Sequence, residues 1–80
     1  EKTKVKIKDI NWIADNVNTT RPIRCSARIR SNQKDAEGIL SIKDSKANFI
    51  FNNKINSTSP GQACVFYLKD QVLGGGWITK

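Results

Sequence analysis

Eighty residues make one domain, 1–80, with a net charge of +7 from fourteen Lys and Arg against seven Asp and Glu. A chain this short buries only about 60–65% of the surface its unfolded form exposes, so a thin core is expected and two catalytic domains cannot fit. The hydrophobic share of 38% and charged share of 26% are those of a globular domain, and no apolar run approaches the ~20 residues of a membrane span, so no membrane partner is expected.

The opening Glu1-Lys2-Thr3-Lys4 is charged and lacks the apolar stretch of a secretory signal. The chain also contains no methionine, which fits a fragment of a larger protein. Along the chain, apolar residues alternate rather than recurring every three or four positions, which predicts strands throughout. From Lys4 to Ile13, Val5 and Ile7 share one face and Lys2, Lys4, Lys6 and Lys8 the other. Ile10 and Trp12 then continue on the opposite parity. That change of phase predicts one long strand bent near Asp9, as at a β-bulge. Asp15 to Pro22 reads as a loop.

Ile23 to Arg30 is the cleanest strand. Ile23, Cys25, Ala27 and Ile29 fall on one side, and Arg24, Ser26, Arg28 and Arg30 on the other. Ser31 to Glu37 reads as a polar turn ended by Gly38. Ile39–Lys43 and Ala47–Phe51 form a predicted hairpin about Asp44-Ser45. Asn52 to Ser59 is a polar loop, and Ser59-Pro60-Gly61-Gln62 has the sequence of a type II turn. Ala63 to Leu68 is apolar on both parities, which predicts a central strand buried on both sides. Lys69-Asp70 makes a turn, and Gln71 to Thr79 is a last strand interrupted by Gly74-Gly75-Gly76. The expected fold is all-β: a small closed or nearly closed antiparallel β-barrel of about six strands.

The chemistry on offer is limited. There is no histidine, so a zinc site of the usual Cys/His spacing is excluded and neither Cys25 nor Cys64 has an imidazole base beside it. Both cysteines read as small core residues. The carboxylates are scattered through turns, where a converging acid/base pair is not expected. Gly74–Gly76 runs into Trp77 and Ile78, which continue a strand, so the glycines read as a close backbone approach rather than a phosphate loop. Trp12, Trp77, Phe49, Phe51, Phe66 and Tyr67 read as core, with the Tyr67 hydroxyl at the rim. No catalytic residue, metal site or cofactor is expected in this chain.

The arginine face is the candidate for function. Arg24, Arg28 and Arg30 alternate along one strand, and Gln33 and Lys34 follow in the turn. Arginine grips phosphate oxygens through two parallel hydrogen bonds and stacks on bases, so an RNA partner is expected there. The bland alternative is a solvated sheet face whose arginine stems cover apolar surface.

Two motif blocks carry a resemblance. Ser59-Pro60-Gly61-Gln62-Ala63-Cys64-Val65-Phe66-Tyr67, followed by Val72-Leu73-Gly74-Gly75-Gly76-Trp77-Ile78, resembles the C-terminal signature of tRNA-specific 2-thiouridylases: T-P-G-Q-x-x-V-F-Y, a short turn, then L-G-G-G-x-I. Ile10-Asn11-Trp12-Ile13 resembles the family's segment ending in N/H-W. Arg24 to Arg30 with Gln33 resembles its R-C-x-x-K-x-R-Y-R-Q. Ser59 stands for the usual Thr, Arg28 for Lys, and Ser31 and Asn32 for a Tyr and a basic residue.

The resemblance implies a barrel like the second domain of translation elongation factors. It implies a parent enzyme that activates the wobble uridine of certain tRNAs with ATP and Mg and replaces its 2-oxygen with persulfide sulfur. The family's ATP loop and catalytic cysteines lie outside the matching segment, and Cys25 and Cys64 match neither cysteine. The implied partners are tRNA, an N-terminal ATP-binding catalytic domain of the same chain and a sulfur-donor protein, in a bacterial-type cytoplasm or an organelle. Arg28, Arg30 and Gln33 are assigned to RNA contact, with Arg24 and Lys34 as supporting charge. The alternatives are a protein-docking module for the catalytic domain or sulfur donor, and a stand-alone RNA-binding barrel.

Overall fold

The alternation in the sequence becomes an inside and an outside. In the computed structural model, which describes residues 3–29, 35–55 and 59–79, every regular element is a strand. The strands are β1 (Lys4–Trp12), β2 (Ile23–Ile29), β3 (Ala36–Lys43), β4 (Lys46–Phe51), β5 (Ala63–Leu68) and β6 (Gln71–Thr79). They close into an antiparallel barrel in the order β1-β4-β3-β2-β5-β6, with β6 pairing back onto β1. Each strand therefore has two neighbours, and no edge is left to pair with another chain. In this ring β2 is three strands from β1 in either direction, so the two lie on opposite sides of the barrel.

Inward residues fill the lumen. Val5, Ile7, Ile23, Ala27, Ile29, Leu40, Phe49, Phe51, Phe66, Leu73 and Ile78 are all buried. Phe49 packs edge-on against Phe51, with ring centroids 4.8 Å apart, and stacks on Phe66 at 5.5 Å. Aromatic pairs in these geometries add to what burial alone supplies.

The phase change in β1 is real. Asp9 adopts φ of 54°, and the β1–β6 register slips between Lys8 and Asn11. Lys4–Ile7 pairs with β4, pairing with β6 already begins at Lys6↔Thr79, and beyond the bend the strand continues along β6 as far as Trp12↔Gly74. The bend turns the far end of the strand along β6 after its pairing with β4 has ended. The type II turn forms as well: Gly61 has φ of 91°, and the Gln62 amide donates to the Ser59 carbonyl at 3.3 Å. Asp44 and Lys69 supply positive φ in the two tight hairpins.

Three expectations need correction. β3 begins at Ala36, so Glu37 and Gly38 belong to the strand, opposite Ser26 and Cys25, rather than to a turn. Gly38 is there because a Cβ would press on the Ile50 carbonyl and come within 2.6 Å of the Phe49 ring. Gly74–Gly76 does not interrupt β6, since Gly75 pairs with both Asn11 and Val65. And β5 is buried on one side only: Cys64 and Phe66 point into the lumen, while Val65 and Tyr67 are half-buried on the outside. A closed barrel has a single interior, so an outward apolar residue is covered only by its surface neighbours.

The cysteines share the lumen without meeting. Cys64 stands opposite Ile29, four residues along β2 from Cys25, and the two form no disulfide. Both are free thiols.

Candidate nucleic-acid interface

The outer face of β2 carries Arg24, Ser26 and Arg28, two residues apart along an extended strand. Their spacing follows from the pleat, which sends alternate side chains outward about 6.6 Å apart. Arg24 and Arg28 are exposed. Of the other three residues assigned to RNA contact from sequence, Arg30, Gln33 and Lys34, all lie outside the described residues.

Arg28 is already engaged. Its Nε donates to Asp35 Oδ1 at 2.7 Å, and its guanidinium sits 5.3 Å from the centre of the Tyr67 ring. The carboxylate, first through the hydrogen bond and then through its charge, raises the guanidinium pKa above its ordinary value. Arg28 is thus drawn toward Asp35 and Tyr67, with its donors partly spoken for.

Tyr67 is outside the barrel and not in the core. It stands directly across from Ser26 on β5 and shares a groove of about 580 Å³ with Arg24, Glu37, Asn52 and Lys69. Sequence reasoning missed Tyr67 and Lys69 as members of this face. The available signal was parity: Tyr67 is out of phase with Cys64 and Phe66, which pack inward.

Trp77 needs the same correction. It is 48% exposed, because its neighbour Ile78 takes the inward position in β6. Trp12 is half-buried against the core, with Nε1 donating to the Ala14 carbonyl at 2.6 Å. Trp77, Val72 and Ile13 rim an apolar groove on β6, floored by Gly74–Gly76. The floor must be glycine. A Cβ at Gly75 would stand 2.8 Å from the Cys64 carbonyl, and one at Gly76 would stand 2.6 Å from the Lys8 carbonyl.

A second basic surface lies on the far side of the barrel. Lys6 and Lys8 of β1 meet Lys43 and Lys46 of the β3–β4 hairpin along one groove. The sequence signals were the outward parity of the β1 lysines and the lysines flanking Asp44-Ser45. Their proximity depends on which strand pairs with which, and that is not written in either segment alone. Among the described residues, no group of three or more His, Cys, Asp or Glu converges.

Comparison with known proteins is consistent with this geometry. Residues 2–78 match the family described as "Aminomethyltransferase beta-barrel domain". The chain is 39% identical over 75 residues to the tRNA-specific 2-thiouridylase MnmA of Rickettsia akari, covering 92% of this chain and 20% of that protein. It is 39% identical over 75 residues to its counterpart in Rickettsia canadensis, with the same coverage. Against the counterpart in Rickettsia prowazekii the identity is 38% over 75 residues, covering 92% of this chain and 21% of that one. The chain spans about a fifth of the length of these curated relatives. The match runs through the S-P-G-Q, V-F-Y and L-G-G-G blocks and the barrel they build, so the chain belongs to the aminomethyltransferase beta-barrel domain family.

Proposed function

We propose that this barrel is the tRNA-contacting C-terminal domain of an ATP-dependent sulfurtransferase that 2-thiolates the wobble uridine of tRNA. The observation that carries this reading is the outer face of β2, where Arg24 and Arg28 stand exposed beside Tyr67 on a chain similar to enzymes named tRNA-specific 2-thiouridylases. Guanidinium groups spaced along a rigid strand suit phosphate contacts, and an A-form helix offers phosphates and shape more readily than base edges. Arg28, Arg30 and Gln33 take the RNA contacts, supported by Arg24 and Lys34.

In this reading the chain itself performs no chemistry. It binds and orients RNA. ATP, Mg and the persulfide sulfur act in the N-terminal catalytic domain of the parent chain, which takes its sulfur from a donor protein in the cytoplasm. Gly74–Gly76 does not fit a nucleotide phosphate, because the glycines are paired in a ladder between β1 and β5 and precede no helix.

The test is Arg28→Glu with Arg30→Glu in the full-length enzyme. The expected outcome is tRNA binding weakened on the order of tenfold or more, from two lost phosphate contacts and two introduced repulsions, with the fold intact by circular dichroism. Unchanged binding and thiolation would remove the arginine strand from the interface. A second reading, docking against protein, draws on the apolar groove around Trp77. Its occupant is then the catalytic remainder of the polypeptide, which in the curated relatives is about four times the length of this chain.

A further inference from the structure

Four lysines meet across the barrel from the arginine strand. Lys6, Lys8, Lys43 and Lys46 line a groove of about 760 Å³ whose one acidic member is Asp44. Lys6 stands opposite Asn48, which stands opposite Ser41, so one row across β1, β4 and β3 offers an ammonium, an amide and a hydroxyl. Two residues along, Lys46 stands directly opposite Lys43.

Two features mark this groove as a site for an anion. The first is the Lys43–Lys46 pair. Like charges directly opposed in an antiparallel ladder repel each other, and here they flank a tight hairpin that could have carried neutral residues. The second is the lack of internal partners: the ion pair among the described residues is Arg28–Asp35, and none of the four lysines takes part in one. On the arginine side, by contrast, Arg28 is paired with Asp35, and Glu37 shares the groove with Arg24 and Lys69.

We infer that the lysine groove is a phosphate-binding surface for a helical stem of RNA. This rests on the reading that the domain meets tRNA, and places a second and denser set of contacts on the β1–β4–β3 side. The chemistry fits phosphate rather than base. Ammonium groups on flexible stems follow a backbone of point charges, and Asn48 and Ser41 add neutral donors at the floor. The barrel is about 21–23 Å across its short axes. A straight stem therefore covers the lysine side or the arginine side, and the two surfaces meet different parts of a folded RNA.

The experiment uses the 80-residue chain and unfractionated tRNA, with binding followed by fluorescence anisotropy across a salt series. Three proteins are compared: the natural sequence, Lys6→Glu with Lys46→Glu, and Arg24→Glu with Arg28→Glu. The lysine pair is expected to weaken binding at least tenfold and to lower the slope of log affinity against log salt by about 1.8, two contacts at ~0.9 each. Lys6→Gln with Lys46→Gln should give a smaller loss in the same direction with an unchanged circular dichroism spectrum. Binding within twofold of the natural sequence in the lysine variants overturns the inference. If the arginine pair alone weakens binding, the inference falls and the proposed function stands. If the lysine pair alone does so, the inference stands and the arginine assignment falls. No binding of the natural chain at low salt overturns the inference, and the full-length thiolation assay then decides the proposed function separately.

Discussion

Cys64 has no exposed surface and Cys25 only 7%. Burial pushes the Cys25 thiol up from 9.0 to about 11; burial, with a smaller contribution from Cys25, pushes Cys64 to about 12. Such thiols stay protonated and unreactive at neutral pH. The direction sets a pH dependence. Below pH 9 both states carry neutral thiols and the full contribution to stability is present. Above pH 9 the unfolded chain ionises while the folded one does not, so stability is lost as pH rises toward about 11 to 12. A variant without the thiol isolates its contribution. Cys64→Ala should cost a few kcal/mol at pH 7 through the space it leaves. That gap should narrow above pH 9 by about 1.4 kcal/mol per pH unit, as the natural protein alone pays to keep the thiol neutral. Urea denaturation at pH 7, 9 and 10.5 measures it, and a gap constant across that range would mean the Cys64 thiol ionises in the folded barrel.

Among the elements, β1 is bent partway along, and beyond the bend it continues beside β6. The hinge is Asp9 at φ of 54°, a conformation that short polar residues and glycine accept and β-branched residues resist. Asp9→Gly should leave stability within about 0.5–1 kcal/mol of the natural protein, and Asp9→Val should lose about 2 kcal/mol or more. Thermal melts of both variants measure the difference, and equal melting would show that β1 closes the barrel without the positive φ. This bend was legible in the sequence because a strand's two-residue period records any inserted residue as a change of phase at Ile10 and Trp12. The start of β3 was not. Gly38 looks like a turn residue by composition, but its role is to clear space for Phe49 and the Ile50 carbonyl on a strand eleven residues later. Turn chemistry is local and can be read locally. Clearance between strands depends on register, which residues 31–38 alone do not contain.

At the scale of the whole molecule, three surfaces are arranged around one ring: arginines on β2, lysines on β1, β4 and the end of β3, and the apolar groove on β6 beside the far half of β1. The arginine face was legible because it lies within one strand. The lysine groove was not, because it joins strands far apart in the chain. Trp77 was misread because tryptophan is usually core in so small a domain, and its outward parity only becomes visible once Ile78 is known to fill the lumen. Among the described residues, Ile13 at 60%, Val72 at 40% and Trp77 at 48% exposure are three of the four large apolar residues left in solvent, and all three rim the same groove. Covering half of one tryptophan alone, about 120 Å², is worth about 3 kcal/mol. The two grooves share no lining residue and meet where Lys8 stands opposite Trp77, so a protein body seated on Trp77 borders the phosphate surface at Lys8 and need not cover Lys6, Lys43 or Lys46. The docking reading therefore predicts a shielded Trp77 in the full-length enzyme that still binds tRNA. With 5-fluorotryptophan incorporated, and the Trp77 resonance identified by its loss in Trp77→Phe, the isolated chain should show a large fluorine shift between H2O and D2O. The full-length enzyme should show that shift largely abolished, before and after tRNA is added. A shift as large in the full enzyme as in the isolated chain would leave the groove open to solvent and end the docking reading, while leaving both basic surfaces untouched.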